Sequence, residues 1–127
     1  MQRVIGLGGP FIKAKDPKAL AAWYEQHLGL PFNGSVYATL PFVNESGNPN
    51  KGYNILSFFK SDSEYFSPSN KEVMVNLIVA DAFGLMAKLK EEGVEIVGEP
   101  MDEEYGKFFW IMDPEGNKIE LWEPPIS

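Results

Sequence analysis

The sequence predicts an α+β domain with an antiparallel or mixed sheet. Three observations point there: two stretches with helical apolar spacing, a strand candidate directly before each, and several strand candidates after each. The Asp residues able to open the helices, Asp16 and Asp81, lie 65 positions apart, and the Gly residues able to close them, Gly29 and Gly93, lie 64 apart. A repeat of that length is too long for a solenoid unit and fits a duplicated half-domain.

Residues 4–15 form the first strand candidate, centred on Phe11, Ile12, Lys13 and Ala14. Asp16 is a favoured N-cap and Pro17 a favoured first helical residue, so a helix is expected to start there. Its apolar stripe is Leu20, Trp23, Tyr24, His27 and Leu28, with Gly29 placed as a C-terminal cap. Strand candidates follow at 35–43 and 53–60, separated by a stretch of turn formers. Residues 60–71 carry Ser, Asp, Pro and Asn and read as a linker between halves, with Tyr65 and Phe66 inside it.

The second half repeats this grammar. Residues 74–80 are a strand candidate, and Asp81 caps a helix whose stripe is Ala82, Leu85, Met86 and Leu89. Strands are expected at 95–97, 107–112 and 118–123. Asp113, Pro114 and Gly116 occupy the first, second and fourth positions of a type I turn joining the last two as a hairpin.

The length of 127 residues suggests one domain, 1–127, with a first module over about 1–62 and a second over about 70–127. Hydrophobic residues make up 44% and aromatic residues 13%, which is too apolar for disorder. A net charge of −7 argues against nucleic acid and against an anionic membrane surface. The absence of Cys excludes disulfides, thiolate nucleophiles and Cys-bound zinc. Residues 1–7 hold no apolar run long enough for a signal peptide and no later stretch could span a bilayer, so a cytoplasmic location is expected.

Several weaker signals are set aside. Gly6, Leu7, Gly8 and Gly9 have the composition of a nucleotide loop, but a strand follows, so no helix N-terminus meets a phosphate. His27 is the sole His and its place near a helix end explains it. The Ser residues lack a second His for a triad. Asp102, Glu103 and Glu104 read as a solvated loop.

Three stretches carry a family resemblance: residues 11–17 running on to Trp23, Tyr24, Leu28, Gly29 and Leu30; residues 75–81 running on to Leu89 and 93–96; and residues 105–108 with 113–124. The last, DPEGNKIELWEP, is the most specific. On these the chain resembles the vicinal-oxygen-chelate superfamily of glyoxalases, bleomycin resistance proteins and extradiol dioxygenases. The resemblance implies two βαβββ modules forming a curved mixed sheet around a cavity, often a homodimer. In many members a divalent metal held by His, Gln or Glu polarises the substrate.

The ligand positions that the resemblance implies are poorly filled. The first-strand position, seven residues before the capping Asp, is Gly9, and its second-half counterpart is Met74, a poor ligand for hard ions. Residues 53–60 hold no His, Asp or Glu. Only Glu120 matches, so no metal is assigned, with Glu120 its one ligand if a divalent ion is present. Glu45, Glu64 or Asn76 could add ligands if their loops fold inward.

Strand alternation turns Glu120 away from Ile119 and Leu121, onto a face shared with Lys118 and Trp122. If that face is the cavity, Glu120 acts as base or hydrogen-bond acceptor; otherwise it is bonded to local backbone or a Lys. The same parity, with the resemblance, nominates Phe11, Lys13, Asn76, Phe108, Trp110 and Trp122 as ligand-binding, and Tyr65, also a ligand-binding candidate, closes the mouth with Phe66 and Tyr105. Lys13 could pair with Glu120, bind an anion, or reach outward. Two functions remain open. One is a glyoxalase-like protein binding a small oxygenated or aromatic compound, with any turnover of lyase, isomerase or dioxygenase type. The other is a bleomycin-resistance-type protein that sequesters a drug.

Overall fold

The computed structural model describes residues 3–43 and 49–125. In chain order these form β1 (Val4–Ala14), α1 (Pro17–Leu28), β2 (Tyr37–Val43), β3 (Pro49–Lys60), β4 (Val73–Val79), α2 (Ala82–Glu91), β5 (Ile96–Glu103), β6 (Gly106–Met112) and β7 (Lys118–Glu123). The class is α+β with mixed strand pairing. The chain divides into two compact units, one of residues 9–63 and one of residues 3–8 with 64 onward, so β1 contributes to both.

In the unit of residues 9–63, β3 lies between β2 and β1, antiparallel to the first and parallel to the second. The Asp16 carboxylate accepts from the Ala19 N–H at 3.1 Å, and Gly29 closes α1 in the left-handed region at φ 71. The buried face of α1 is rotated from the expected stripe. Ala21 is buried with Leu20 and Tyr24 beside it, against Phe32, Ala38 and Phe58. Trp23 and Leu28 are 51% and 60% exposed. The stacked rings of Phe32 and Phe58 fill the space beneath the helix, so the small Ala21 makes the close approach. His27 is exposed and its ring lies 4.9 Å from that of Trp23. β2 begins at Tyr37, not 35, because the Ser35 hydroxyl is engaged in a turn with the Phe32 and Tyr37 carbonyls. β3 begins earlier than expected, at Pro49, which pairs with Val43 beyond an irregularity at Pro41–Val43. Among the described residues this half reads β-α-β-β.

The other unit carries the full β-α-β-β-β order. β4 runs parallel to β7, β7 antiparallel to β6, and β6 antiparallel to β5. The Asp81 carboxylate accepts from the Gly84 N–H at 3.1 Å, and Gly93 follows the helix end at φ 82. Val79, Ala82, Leu85, Phe109 and Leu121 form the core, with Met86, Leu89, Ile111 and Ile119 packed on it. The β6–β7 turn is as expected: the Gly116 N–H donates to the Asp113 carbonyl, and the Asp113 side chain accepts from the Glu115 and Asn117 N–H groups. β5 is longer than 95–97. It continues past Gly98, at φ 68, so Asp102 and Glu103 pair with Lys107 and Gly106 instead of lying in a free loop. No helix among the described residues is long and apolar enough to cross a membrane.

Candidate functional site

Alternation along β4, β6 and β7 sorts their side chains between two faces. Leu121 and Phe109 enter the core under α2, which leaves Glu120, directly paired with Asn76 on one side and Trp110 on the other, on the opposite face. Phe108 is paired with Trp122 and Met112 with Lys118 on that same face. Glu120 is 2% exposed, and Asn76 1%.

A buried carboxylate requires hydrogen-bond donors, and Glu120 has three. Its Oε1 accepts from the Trp110 Nε1–H at 2.9 Å and from the Tyr65 hydroxyl, and its Oε2 accepts from the Asn76 Nδ2 amide. Tyr65 reaches in from the connection between β3 and β4. Its ring meets Trp110 edge-on, with centroids 6.1 Å apart at 88°. The Lys118 ammonium donates to the Tyr65 carbonyl at 2.6 Å and stands 5.3 Å from the Tyr65 ring centroid and 5.6 Å from that of Trp110. Gly8 completes the arrangement. A Cβ there would overlap Asn76 Oδ1, so the bare Gly8 lets the carboxamide lie flat with its nitrogen facing Glu120. That Oδ1 has no hydrogen-bond partner among the described residues.

Burial pushes the Glu120 carboxyl above the usual carboxylate range, against the opposing pull of Tyr65, Asn76, Trp110 and the Lys118 charge. Burial, then the Glu120 charge and hydrogen bond, push the Tyr65 phenol upward, so it is a donor and not a phenolate at neutral pH. Desolvation lowers the Lys118 ammonium, with Glu120 opposing. The network is a carboxylate poised as an acceptor.

The expected site residues separate into three groups. Glu120, Asn76, Trp110 and Tyr65 are joined by hydrogen bonds. Phe108 lies between Trp110 and Trp122 in a row of near-parallel rings, at 6.4 and 6.3 Å with interplanar angles of 13° and 10°. Trp122 is buried and its Nε1–H donates to the Tyr105 carbonyl at 2.9 Å. Phe11 and Lys13 belong to the unit of residues 9–63, where Phe11 is buried with its ring 5.3 Å from that of Phe59. The ammonium acting on Glu120 is that of Lys118. Phe66 is fully buried, so it anchors its loop and does not line a mouth, whereas Tyr105 is 57% exposed. Sequence reasoning missed Gly8. The signal was present in a glycine-rich first strand, but its partner Asn76 lies far along the chain.

The superfamily's metal does not fit these residues. All three bonds to Glu120 come from groups that direct hydrogen at its oxygens. Met74 offers a buried thioether, and Gly9 has no side chain. Glu64 is exposed, and Glu45 lies outside the described residues. Among the described residues no three His, Asp or Glu side chains gather as a metal would need.

A family model described as the Glyoxalase/Bleomycin resistance protein/Dioxygenase superfamily matches residues 10–121. Among solved structures, a single-substitution variant of Streptomyces coelicolor methylmalonyl-CoA epimerase in complex with 2-nitronate-propionyl-CoA is similar at a TM-score of 0.68 and 17% identity, covering 97% of this chain and 99% of that one. Methylmalonyl-CoA epimerase from Mycobacterium tuberculosis gives 0.64 and 19%, covering 97% and 90%. A glyoxalase/bleomycin resistance protein/dioxygenase superfamily member from Vibrio splendidus 12B01 gives 0.58 and 15%, covering 97% and 99%. At such identities the likeness is one of fold. No curated relative matches.

Proposed function

Because the chain belongs to the glyoxalase/bleomycin resistance protein/dioxygenase superfamily, we propose that it binds a small oxygenated or aromatic compound at the Glu120 network, without the superfamily's full metal set. The observation that carries this reading is a buried carboxylate ringed by donors on a face walled with aromatic rings. That combination of apolar wall and few convergent polar groups is the usual make-up of a small-ligand site. Glu120 is the acceptor for a ligand hydrogen and the one candidate base in the network, its raised pKa bringing it nearer the pH at which a base is useful. Tyr65, 38% exposed, is the member of the network that an incoming compound meets first.

A second reading, sequestration of an aromatic or cationic drug in the manner of bleomycin resistance proteins, draws support from the row formed by Trp110, Phe108 and Trp122 and from the net charge of −7. In either reading the protein acts in the cytoplasm as a homodimer. The dimer draws support from Ile5 and Leu7 on β1 and Val73 and Val75 on β4, apolar side chains between 37% and 55% exposed.

The test is an NMR titration of the wild-type protein with a set of small aromatic and hydroxylated fragments, read at the Trp110 indole N–H. Binding compounds are expected to shift that signal in wild type and much less in Glu120→Gln. Fragments that bind while leaving Trp110 unmoved would place the site elsewhere. Light scattering of wild type and Leu7→Glu tests the dimer.

A further inference from the structure

We infer that the Tyr65 side chain occupies a subsite for a neutral hydroxyaryl group, and that a para-substituted phenol replaces it on Glu120. This rests on the network being the binding site, and it names the ligand class.

Tyr65 is held as a ligand would be held. Its hydroxyl donates to Glu120, its ring meets Trp110 edge-on, and Lys118 places an ammonium near its face. Its neighbour is anchored quite differently. Phe66 is fully buried, and the turns around it are closed by the Ser67 N–H on the Glu64 carbonyl and the Ser69 N–H on the Phe66 carbonyl. Tyr65, more than a third exposed, can therefore swing out by side-chain rotation while Phe66 keeps the loop seated. Asn76 and Trp110 hold Glu120 through bonds of their own, independent of the Tyr65 hydroxyl.

The vacated space selects its occupant. A buried carboxylate oxygen that loses a donor must regain one, so the incoming group needs a hydrogen to donate where the Tyr65 O–H stood, which a phenol supplies in the same geometry. The negative charge of Glu120 rejects a carboxylate or phenolate at the same spot. The flat space between Trp110 and Lys118, shaped around a phenol, favours a ring over an aliphatic alcohol. A neutral phenol meets all three demands.

The experiment measures p-cresol and toluene binding to full-length wild type, Tyr65→Ala and Tyr65→Phe, by calorimetry and at the Trp110 indole resonance. In wild type the phenol must displace Tyr65. Tyr65→Ala removes that competition and should bind p-cresol about 10-fold tighter or more. Tyr65→Phe, which keeps the ring without its hydrogen bond, should fall between the two. In Tyr65→Ala, p-cresol should exceed toluene by about 10- to 100-fold, the worth of one hydrogen bond to a buried charge. A Tyr65→Ala protein with a wild-type circular dichroism spectrum that binds p-cresol no tighter than wild type, or no better than toluene, overturns the inference. If Tyr65→Ala does not fold, an unchanged p-cresol affinity in Tyr65→Phe overturns it as well. Should p-cresol fail while other fragments still shift Trp110, the phenol subsite falls and the binding function stands; should none shift it, both fall.

Discussion

Gly6 and Gly8 lie two residues apart on β1 and face the same way, yet the structure assigns them different tolerances. A Cβ on Gly8 would overlap the Asn76 Oδ1, while a Cβ on Gly6 would meet Ile78 at an ordinary 3.9 Å. Neither glycine has a positive φ, so backbone strain does not enter. Gly8→Ala must therefore expel the Asn76 carboxamide. That loses a hydrogen bond to a buried carboxylate, about 1.5–3 kcal/mol, and overpacks a filled space, about 1–3 kcal/mol. The combined loss is about 3 kcal/mol or more. With an unfolding entropy of roughly 2.1 cal/mol/K per residue, a chain of 127 residues should melt about 11 °C lower. Gly6→Ala should be neutral or slightly stabilising, since it removes unfolded-state freedom at a tolerant position. Calorimetric melting and urea titration of both variants decide the matter. Two variants melting within about 2 °C of each other would refute the claim that Gly8 seats Asn76.

Trp110→Phe keeps a ring but removes the Nε1–H donor to Glu120, so urea titration should show a loss of about 2 kcal/mol; an unchanged midpoint would mean that water or another donor replaces it. Glu120 retains its proton in the folded state at pH values where the unfolded chain, near the ordinary 4.5, has released it. Its contribution is then fully present below 4.5 and is lost as pH rises through the higher folded-state pKa. The stability of wild type relative to Glu120→Gln should accordingly decline as pH rises above 4.5, and a pH-independent difference would contradict a raised pKa at Glu120. Asp81→Ala removes the acceptor for the Gly84 N–H at the start of α2 and should cost about 1 kcal/mol; a loss under about 0.3 kcal/mol would leave the cap without energetic weight.

Local chemistry was the legible part of the fold. Asp16, Asp81, Gly29, Gly93 and the Asp113 turn act through neighbours a few residues away, and the structure places each as its sequence context requires. Strand parity also placed Glu120, Asn76 and Trp110 on one face, because alternation is a local property. What escaped depends on distant partners. The face that α1 buries is chosen by Phe32 and Phe58, and Ala21 offers no hydrophobic signal of its own. The reach of β5 follows from Gly98 carrying the chain through an irregularity to Lys107. Tyr65 meets Glu120 from 55 residues away, and nothing near either residue announces the contact.

Corresponding strand pairings in the two halves show how the chemistry gathers in one of them. Each half pairs its first and last strands in parallel, and the registers correspond: Phe11 opposite Ser57 in one, Asn76 opposite Glu120 in the other. Where the second half sets an amide beside a carboxylate, the first sets a benzyl ring beside a hydroxymethyl group. Two residues earlier, Gly9 corresponds to Met74. Of the four positions at which the superfamily places metal ligands, this chain thus charges one. The backbone bars a side-chain ligand at Gly9, which sits at φ 143, where a Cβ would run into the Ile55 carbonyl. A lone carboxylate with donors on both oxygens is built to accept hydrogens, and those same donors fill the positions that a cation's ligands would need.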